Sequence, residues 1–301
     1  MAQPVPRIDP EACLGCGACA RACPAGVLSF DGRRAVVAGS ACIGCGQCRA
    51  VCPAEAVALP EAENFADGFA TFTPPGTVVA PGEFSPEELV DLLRSRRSCR
   101  CYTEAAVSGP LLEDLVRAAV TAPSGTNSQA WTFSVLTSRA AVVGLGEAVA
   151  GFYRRLNKLA ANAFFRKAYA LLGRSELENY FREYYASVAA ALAMWDRDRT
   201  DRLFHGATAA IIIGSRPGAS CPAEDALLAA QNMLLVAHAL GLGTCLIGYA
   251  VEAMRHDGRV KAAAGLPREE SVHAVVALGW PDVVYARQTS RRRPLVRYKT
   301  A

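Results

Sequence analysis

One cysteine-rich pattern, written twice, constrains this chain more than any other feature. Cys13-Leu-Gly-Cys16-Gly-Ala-Cys19-Ala-Arg-Ala-Cys23-Pro24 recurs as Cys42-Ile-Gly-Cys45-Gly-Gln-Cys48-Arg-Ala-Val-Cys52-Pro53. Three thiolates spaced by two residues wrap one side of a four-iron cluster. A short loop cannot close around the whole cube, so the fourth thiolate must come from elsewhere. Structural zinc prefers two C-x2-C pairs per ion, and a disulfide framework belongs to short secreted chains, not to one of 301 residues. Glycines 15, 17, 44 and 46 let backbone amides approach the cluster sulfides. Each copy leads into a short apolar segment, Val27 to Phe30 and Ala56 to Leu59. Two such copies suggest a small pseudo-symmetric domain ending near Pro60.

Residues 10–60 resemble the bacterial two-cluster ferredoxins. In that pattern the last cysteine of each run ligates the other cluster. The resemblance therefore implies one 4Fe-4S cluster on Cys13, Cys16, Cys19 and Cys52, and a second on Cys42, Cys45, Cys48 and Cys23. The remaining four of the 12 cysteines, Cys99, Cys101, Cys221 and Cys245, show no pairing with one another or with histidine and read as buried, inert thiols.

Between Pro60 and Phe84 there is no Lys or Arg, and prolines and glycines punctuate the chain. This reads as a linker, with Phe65, Phe69 and Phe72 arguing for a strap laid on the next domain. Ser85-Pro86-Glu87-Glu88 opens a helix with an N-cap, a proline at the first position and a capping box. Further helices are expected over 110–120, 138–172, 175–198, 223–240 and 250–263. Strands are expected over 131–136, 207–214 and 272–278. The domains are thus 1–60, a linker strap 61–84, and an α+β unit over 85–301.

Three motifs in the second domain bear on chemistry. Arg96-Arg97-Ser98-Cys99-Arg100 offers guanidinium forks suited to phosphate oxygens. Ala122-Pro123-Ser124-Gly125-Thr126-Asn127-Ser128-Gln129 joins a helix to a strand and offers amides and hydroxyls to a ring edge. Gly241-Leu-Gly-Thr-Cys-Leu-Ile-Gly248 reads as a glycine-rich turn where backbone can approach a flat ring. A late basic cluster, Arg291-Arg292-Arg293, follows.

Taken together and in this order, these segments resemble the FMN-dependent nitroreductase family over residues 86–298. The resemblance implies an α+β sandwich with a central, mostly antiparallel sheet. It also implies FMN held by Arg96, Arg97, Ser98, Arg100, Pro123, Ser124, Asn127, Gln129, Leu246, Ile247, Gly248, Arg291 and Arg293, in a homodimer with the flavin at the subunit interface. Arg100, Arg291 or Arg293 would supply positive charge near N1 and O2 of the flavin. The ferredoxin-like module is an addition to that family's basic fold. No catalytic acid or base is assigned, because the four histidines are scattered and the flavin carries the chemistry.

The formal charge of +4 is too small to argue for nucleic acid. The apolar run from Ala226 to Gly248 is broken by polar residues and glycines, so it reads as a buried helix and a loop rather than a membrane span. No secretory signal is visible near Met1, and a reducing cytoplasm is expected. Two functions fit. One is an enzyme that takes electrons from a low-potential donor such as ferredoxin, through its clusters, or from NAD(P)H, and passes them from FMN to a small nitroaromatic, quinone or activated alkene. The other is an electron carrier that passes electrons between FMN, clusters and a protein partner. The aromatics of residues 150–205 are expected to form a lid over the acceptor.

Overall fold

The computed structural model describes residues 5–59 and 64–300. The boundary expected at Pro60 lies outside them. The duplicated sequence folds as β1 (Arg7–Ile8), α1 (Ala18–Ala22), β2 (Leu28–Phe30), β3 (Ala35–Val37), α2 (Gln47–Ala50) and β4 (Val57–Ala58). β1 pairs antiparallel with β4, and β2 with β3. Each helix starts from a left-handed glycine, Gly17 at φ +65° and Gly46 at φ +74°. Gly15 is also left-handed, and a Cβ there would collide with the Arg33 carbonyl. The core is Cys19, Leu28, Ala35, Cys48 and Val57. A domain this small does not stand on so few apolar side chains and calls for a covalent or metal staple.

Residues 64–84 have no regular structure, and they are fastened to the second domain. Asp114, fully buried on α4 (Gly109–Ala119), accepts from the Ala70 amide, the Thr71 amide and the Thr71 hydroxyl. One turn further on, Arg117 donates to the carbonyls of Phe65 and Asp67, and its guanidinium lies 4.5 Å from the centre of the Phe65 ring. The strap expected from sequence is therefore an ordered one, with two polar anchors that sequence did not disclose.

The second domain opens with α3 (Pro86–Ser95), whose Ser85 side chain accepts from the Glu88 amide. After α4 come β5 (Trp131–Leu136), α5 (Arg139–Ala161), α6 (Ala163–Leu171), α7 (Glu176–Glu183) and α8 (Tyr185–Asp198). Then follow β6 (Ala209–Ser215), α9 (Pro222–Ala239), β7 (Gly243–Leu246), α10 (Gly248–His256), α11 (Gly258–Ala263) and β8 (Ser271–Gly279). The helical stretch expected over 138–172 breaks at Asn162, whose side chain caps α6. The stretch from 175 breaks at Tyr184.

Four strands form one sheet in the order β5-β6-β8-β7, antiparallel throughout. Alternation with period two sorts the interior strands between two cores. Ala209, Ile211, Ile213, Ala274, Val276 and Leu278 face α4 and α9. Ala210, Ile212, Val275 and Ala277 face α5, α10 and α11. A bulge at His273 shifts the register between Ile213 and Gly214, which is why Val272 joins the Val275 side. The Gly241–Gly248 segment, expected as a glycine-rich turn, is no simple turn, because residues 243–246 form the edge strand β7. Gly243 is required there because a Cβ would lie 2.8 Å from both Cβ and Sγ of Cys99.

Candidate functional site

The first domain gathers its cysteines into two sets. Cys13, Cys16, Cys19 and Cys52 line one cavity, walled by Ile8, Ala35 and Val57. Cys23, Cys42, Cys45 and Cys48 line a second, walled by Val27, Leu28 and Leu59. Each cavity thus takes three thiols from one copy of the motif and the fourth from the other. Four thiols around one cavity fit a polynuclear iron–sulfur cluster.

The local field around the thiols is uneven. The amides of Ala35 and Gly15 pull the Cys13 thiol below its usual range. Burial opposes ionisation of Cys23, but the amides of Leu28, Val27, Ala25 and Gly26 outweigh it and lower that thiol too. Burial raises Cys19 and Cys48. The Gly44 amide lies 3.4 Å from Cys42 Sγ.

In the second domain the arginine motif runs from the end of α3 along β7. Ser98 bridges Thr244 in parallel, and the Cys99 amide donates to the Thr244 carbonyl at 2.8 Å. Burial first, and then Arg97 and Arg291, lower the Arg96 pKa. Burial followed by Arg96 and Arg97 does the same to His238, in the last turn of α9. Arg96, Arg97, Arg291 and His238 therefore share one positive field. Arg139, Arg155 and Arg166 each pair with a carboxylate, whereas Arg96, Arg97, Arg100, Arg291 and Arg293 form no ion pair among the described residues. Arg97 Nε is buried without a hydrogen-bond partner. A cationic cradle with no counterion and an orphaned donor fits an anionic group such as a phosphate.

The Pro123–Gln129 segment is a strained loop. Thr126, Asn127 and Gln129 have φ of +50°, +56° and +45°, which non-glycine residues adopt only where surrounding structure enforces it. Asp225, in the first turn of α9, enforces it by accepting from the Gly125 amide at 2.8 Å and the Ser128 hydroxyl at 3.2 Å. Ser124 Oγ accepts from the Gln129 amide. The Asn127 side-chain amide reaches across to the first domain and donates to the Ile43 carbonyl at 3.1 Å.

The structure does not bring all these residues together within one chain. The Pro123–Gln129 loop sits at the start of α9 and the arginine cradle at its end. The 13 residues from Asp225 to His238 span roughly 20 Å of helix, so the two groups lie well apart in one chain. Of the β7 exit, Leu246 is half exposed, and Gly248 has open space where a side chain would stand. The Ile247 side chain is buried in the core, so at the β7 exit this residue offers its backbone. Arg291 and Arg293 both lie in the exposed C-terminal tail, and of the two Arg291 is the one that acts on Arg96. Cys99 and Cys245 are buried as expected, but Cys101 and Cys221 are exposed.

An apolar cavity of about 240 Å³ lies between α5 and α8. Val149, Tyr153, Leu192, Trp195 and Phe204 line it, and it ends at Tyr249, next to Gly248. The Tyr153 hydroxyl donates to the Tyr249 carbonyl, and burial pushes its pKa far up. Asp201 holds one wall by accepting from the amides of Leu203, Phe204 and Gly206 and from Arg139. The expected aromatic lid divides here. Tyr153 and Trp195 line the cavity, whereas Phe164 and Phe165 are exposed on α6.

Sandwich, cradle and paired thiol cavities define a redox protein with its own iron–sulfur module. The nitroreductase family profile matches residues 93–280, and the chain belongs to that family of oxidoreductases. A 4Fe-4S dicluster domain profile matches residues 5–53. A putative NADH dehydrogenase/NAD(P)H nitroreductase of Archaeoglobus fulgidus is 26% identical over 65% of this chain and 86% of its own. The nitrobenzene nitroreductase of Ectopseudomonas oleovorans is 28% identical over 64% and 86%. In fold, the crystal structure of a Bacteroides fragilis nitroreductase with bound FMN superposes with a TM-score of 0.50 at 21% identity, covering 70% of this chain and 99% of that one. No helix among the described residues is long and apolar enough to cross a membrane.

Proposed function

We propose that this chain is an iron–sulfur flavoenzyme in which electrons enter singly from a low-potential protein donor, cross two cysteine-bound 4Fe-4S clusters and reach a small organic acceptor at FMN. The observation that carries this reading is the coexistence in one chain of two four-thiol cavities and a counterion-free basic cradle on a nitroreductase sandwich. Cys13, Cys16, Cys19 and Cys52 would hold one cluster, and Cys23, Cys42, Cys45 and Cys48 the other. When bound, FMN would supply both single-electron and hydride chemistry.

Arg96, Arg97 and Arg291 bind the phosphate, and Arg100 adds positive charge on the β7 side. Leu246 and the backbone at Gly248 offer a face for the flat ring. Pro123, Ser124, Asn127 and Gln129 are supplied to the same flavin by the partner of a homodimer, because α9 separates them from the cradle of their own chain. The apolar cavity ending at Tyr249 favours a nitroaromatic, quinone or activated alkene acceptor over the electron-carrier alternative. The units are taken as 1–60, a strap 61–84 and 85–301, working in the reducing cytoplasm that free thiols require.

Anaerobic iron and sulfide analysis, with mass spectrometry of the released flavin, tests the cofactor set. Two clusters and one FMN per chain are expected, and stoichiometric zinc or FAD would overturn the reading. Stopped-flow reduction by reduced ferredoxin in wild type and Cys42→Ser tests the relay. Equal rates in the two proteins, or fast NADPH reduction that ignores the clusters, would remove the clusters from the path.

A further inference from the structure

We propose that the two cysteine sets have a fixed polarity: Cys23, Cys42, Cys45 and Cys48 form the flavin-side set, coupled through Ile43 and Asn127, while Cys13, Cys16, Cys19 and Cys52 face a one-electron carrier protein. This rests on the cluster and flavin assignment above. The inner side is marked by a hydrogen bond between domains. Ile43 lies inside the Cys42–Cys45 loop and lines the second cavity. Its carbonyl accepts from Asn127, whose left-handed backbone belongs to the strained flavin loop. One covalent residue and one hydrogen bond therefore join a cluster ligand to that loop. Asn127 is a positioning residue here. Its backbone strain, maintained by Asp225, aims the side chain at the first domain.

The outer side is marked by exposure. Cys16 is exposed, and Leu14 beside it is 73% exposed, whereas none of Cys23, Cys42, Cys45 and Cys48 is exposed. Arg21 donates to the Cys16 carbonyl at 3.1 Å and holds that loop in place. Each transfer oxidises one carrier molecule by one electron and makes or breaks no bond. Two carriers are oxidised for each two-electron reduction of the acceptor, with protons drawn from solvent.

The test uses the full holoprotein and two readouts. In EPR-monitored redox titrations, Asn127→Asp places a negative charge beside the inner set. It should lower the potential of the one cluster whose signal is altered or lost in Cys45→Ser, leaving the signal altered in Cys16→Ser unmoved. Asn127→Leu removes the hydrogen bond without adding charge and should move that same potential alone. In stopped flow, Leu14→Glu at the outer end should slow reduction by reduced ferredoxin several-fold and leave the flavin content unchanged. A shift in the Cys16-linked signal, a shift in neither, or an unchanged rate with ferredoxin would overturn the proposal. Failure of the underlying assignment looks different, because wild type would then show no 4Fe-4S signals at all.

Discussion

Arg96 and His238 carry the most direct test of the flavin site. Each charge-assisted hydrogen bond to a phosphate contributes about 1.5–3 kcal/mol. Arg96→Ala should therefore weaken FMN retention by roughly 10- to 150-fold, measured as flavin released on dilution, and full occupancy at micromolar protein would count against the cradle. His238 reports the same event in wild type. Burial, then Arg96 and Arg97, hold its pKa below the ordinary imidazole value. A bound phosphate reverses the sign of the local field, so the pKa should rise on loading. Titration of the His238 ring by NMR, with and without flavin, reads this directly. An unmoved curve would place the anion elsewhere.

At the scale of elements, the strap is the feature with the clearest energetic signature. Asp114→Ala leaves two strap amides without their buried acceptor, at about 1–3 kcal/mol each. Unfolding of the second domain should move down by several degrees, and proteolysis within 64–84 should accelerate; an unchanged digestion pattern would mean that the strap is held by other contacts. Acid should act in the same direction. Burial would raise the Asp114 carboxyl, but the Thr71 hydroxyl and the amides of Ala70 and Thr71 hold it below 3.8. Hydrogen bonds likewise lower Asp201 against its burial, and Arg259 foremost holds Asp257 at about 2. Carboxylates with depressed folded pKa values contribute stability that is full above the ordinary carboxylate value and is lost as pH falls through the folded one. Thermal stability should therefore drop between about pH 4 and pH 2, and a flat profile there would contradict these pairings.

The elements differ in how plainly sequence announced them. β5, β6, β8, α4 and α9 were legible because a long apolar period has a single structural meaning. β7 was not, because an edge strand of four residues containing a glycine carries no alternation to read. The breaks at Asn162 and Tyr184 were hidden because both neighbouring segments keep the same helical period. In the site, the cysteine sets and the arginines were legible from type and spacing. The Asn127–Ile43 bond, the Asp114 anchor and the burial of Ile247 were not, since each depends on what the fold brings opposite a residue.

The whole molecule is expected to be a pair of chains. α3 has no buried residue, and Leu89, Val90 and Leu93 are 40–45% exposed. Leu227 and Leu228 on α9 are similarly open, so an apolar surface spans two adjoining helices without a cover from its own chain. Light scattering of Leu89→Asp with Leu93→Asp should show monomers, and those monomers should lose flavin with arginines and cysteines intact. A flavin-loaded monomer would sever the link between pairing and cofactor.

The placement of the two halves of the flavin site at opposite ends of α9 has a genetic consequence. A chain carrying Arg96→Ala and a chain carrying Gln129→Ala would each hold flavin weakly alone and turn over slowly when flavin is limiting. When co-expressed, their lesions segregate in the heterodimer: one site inherits both and the other inherits neither. Two impaired alleles would thus restore about half the wild-type turnover per heterodimer, whereas two lesions on one allele would restore none.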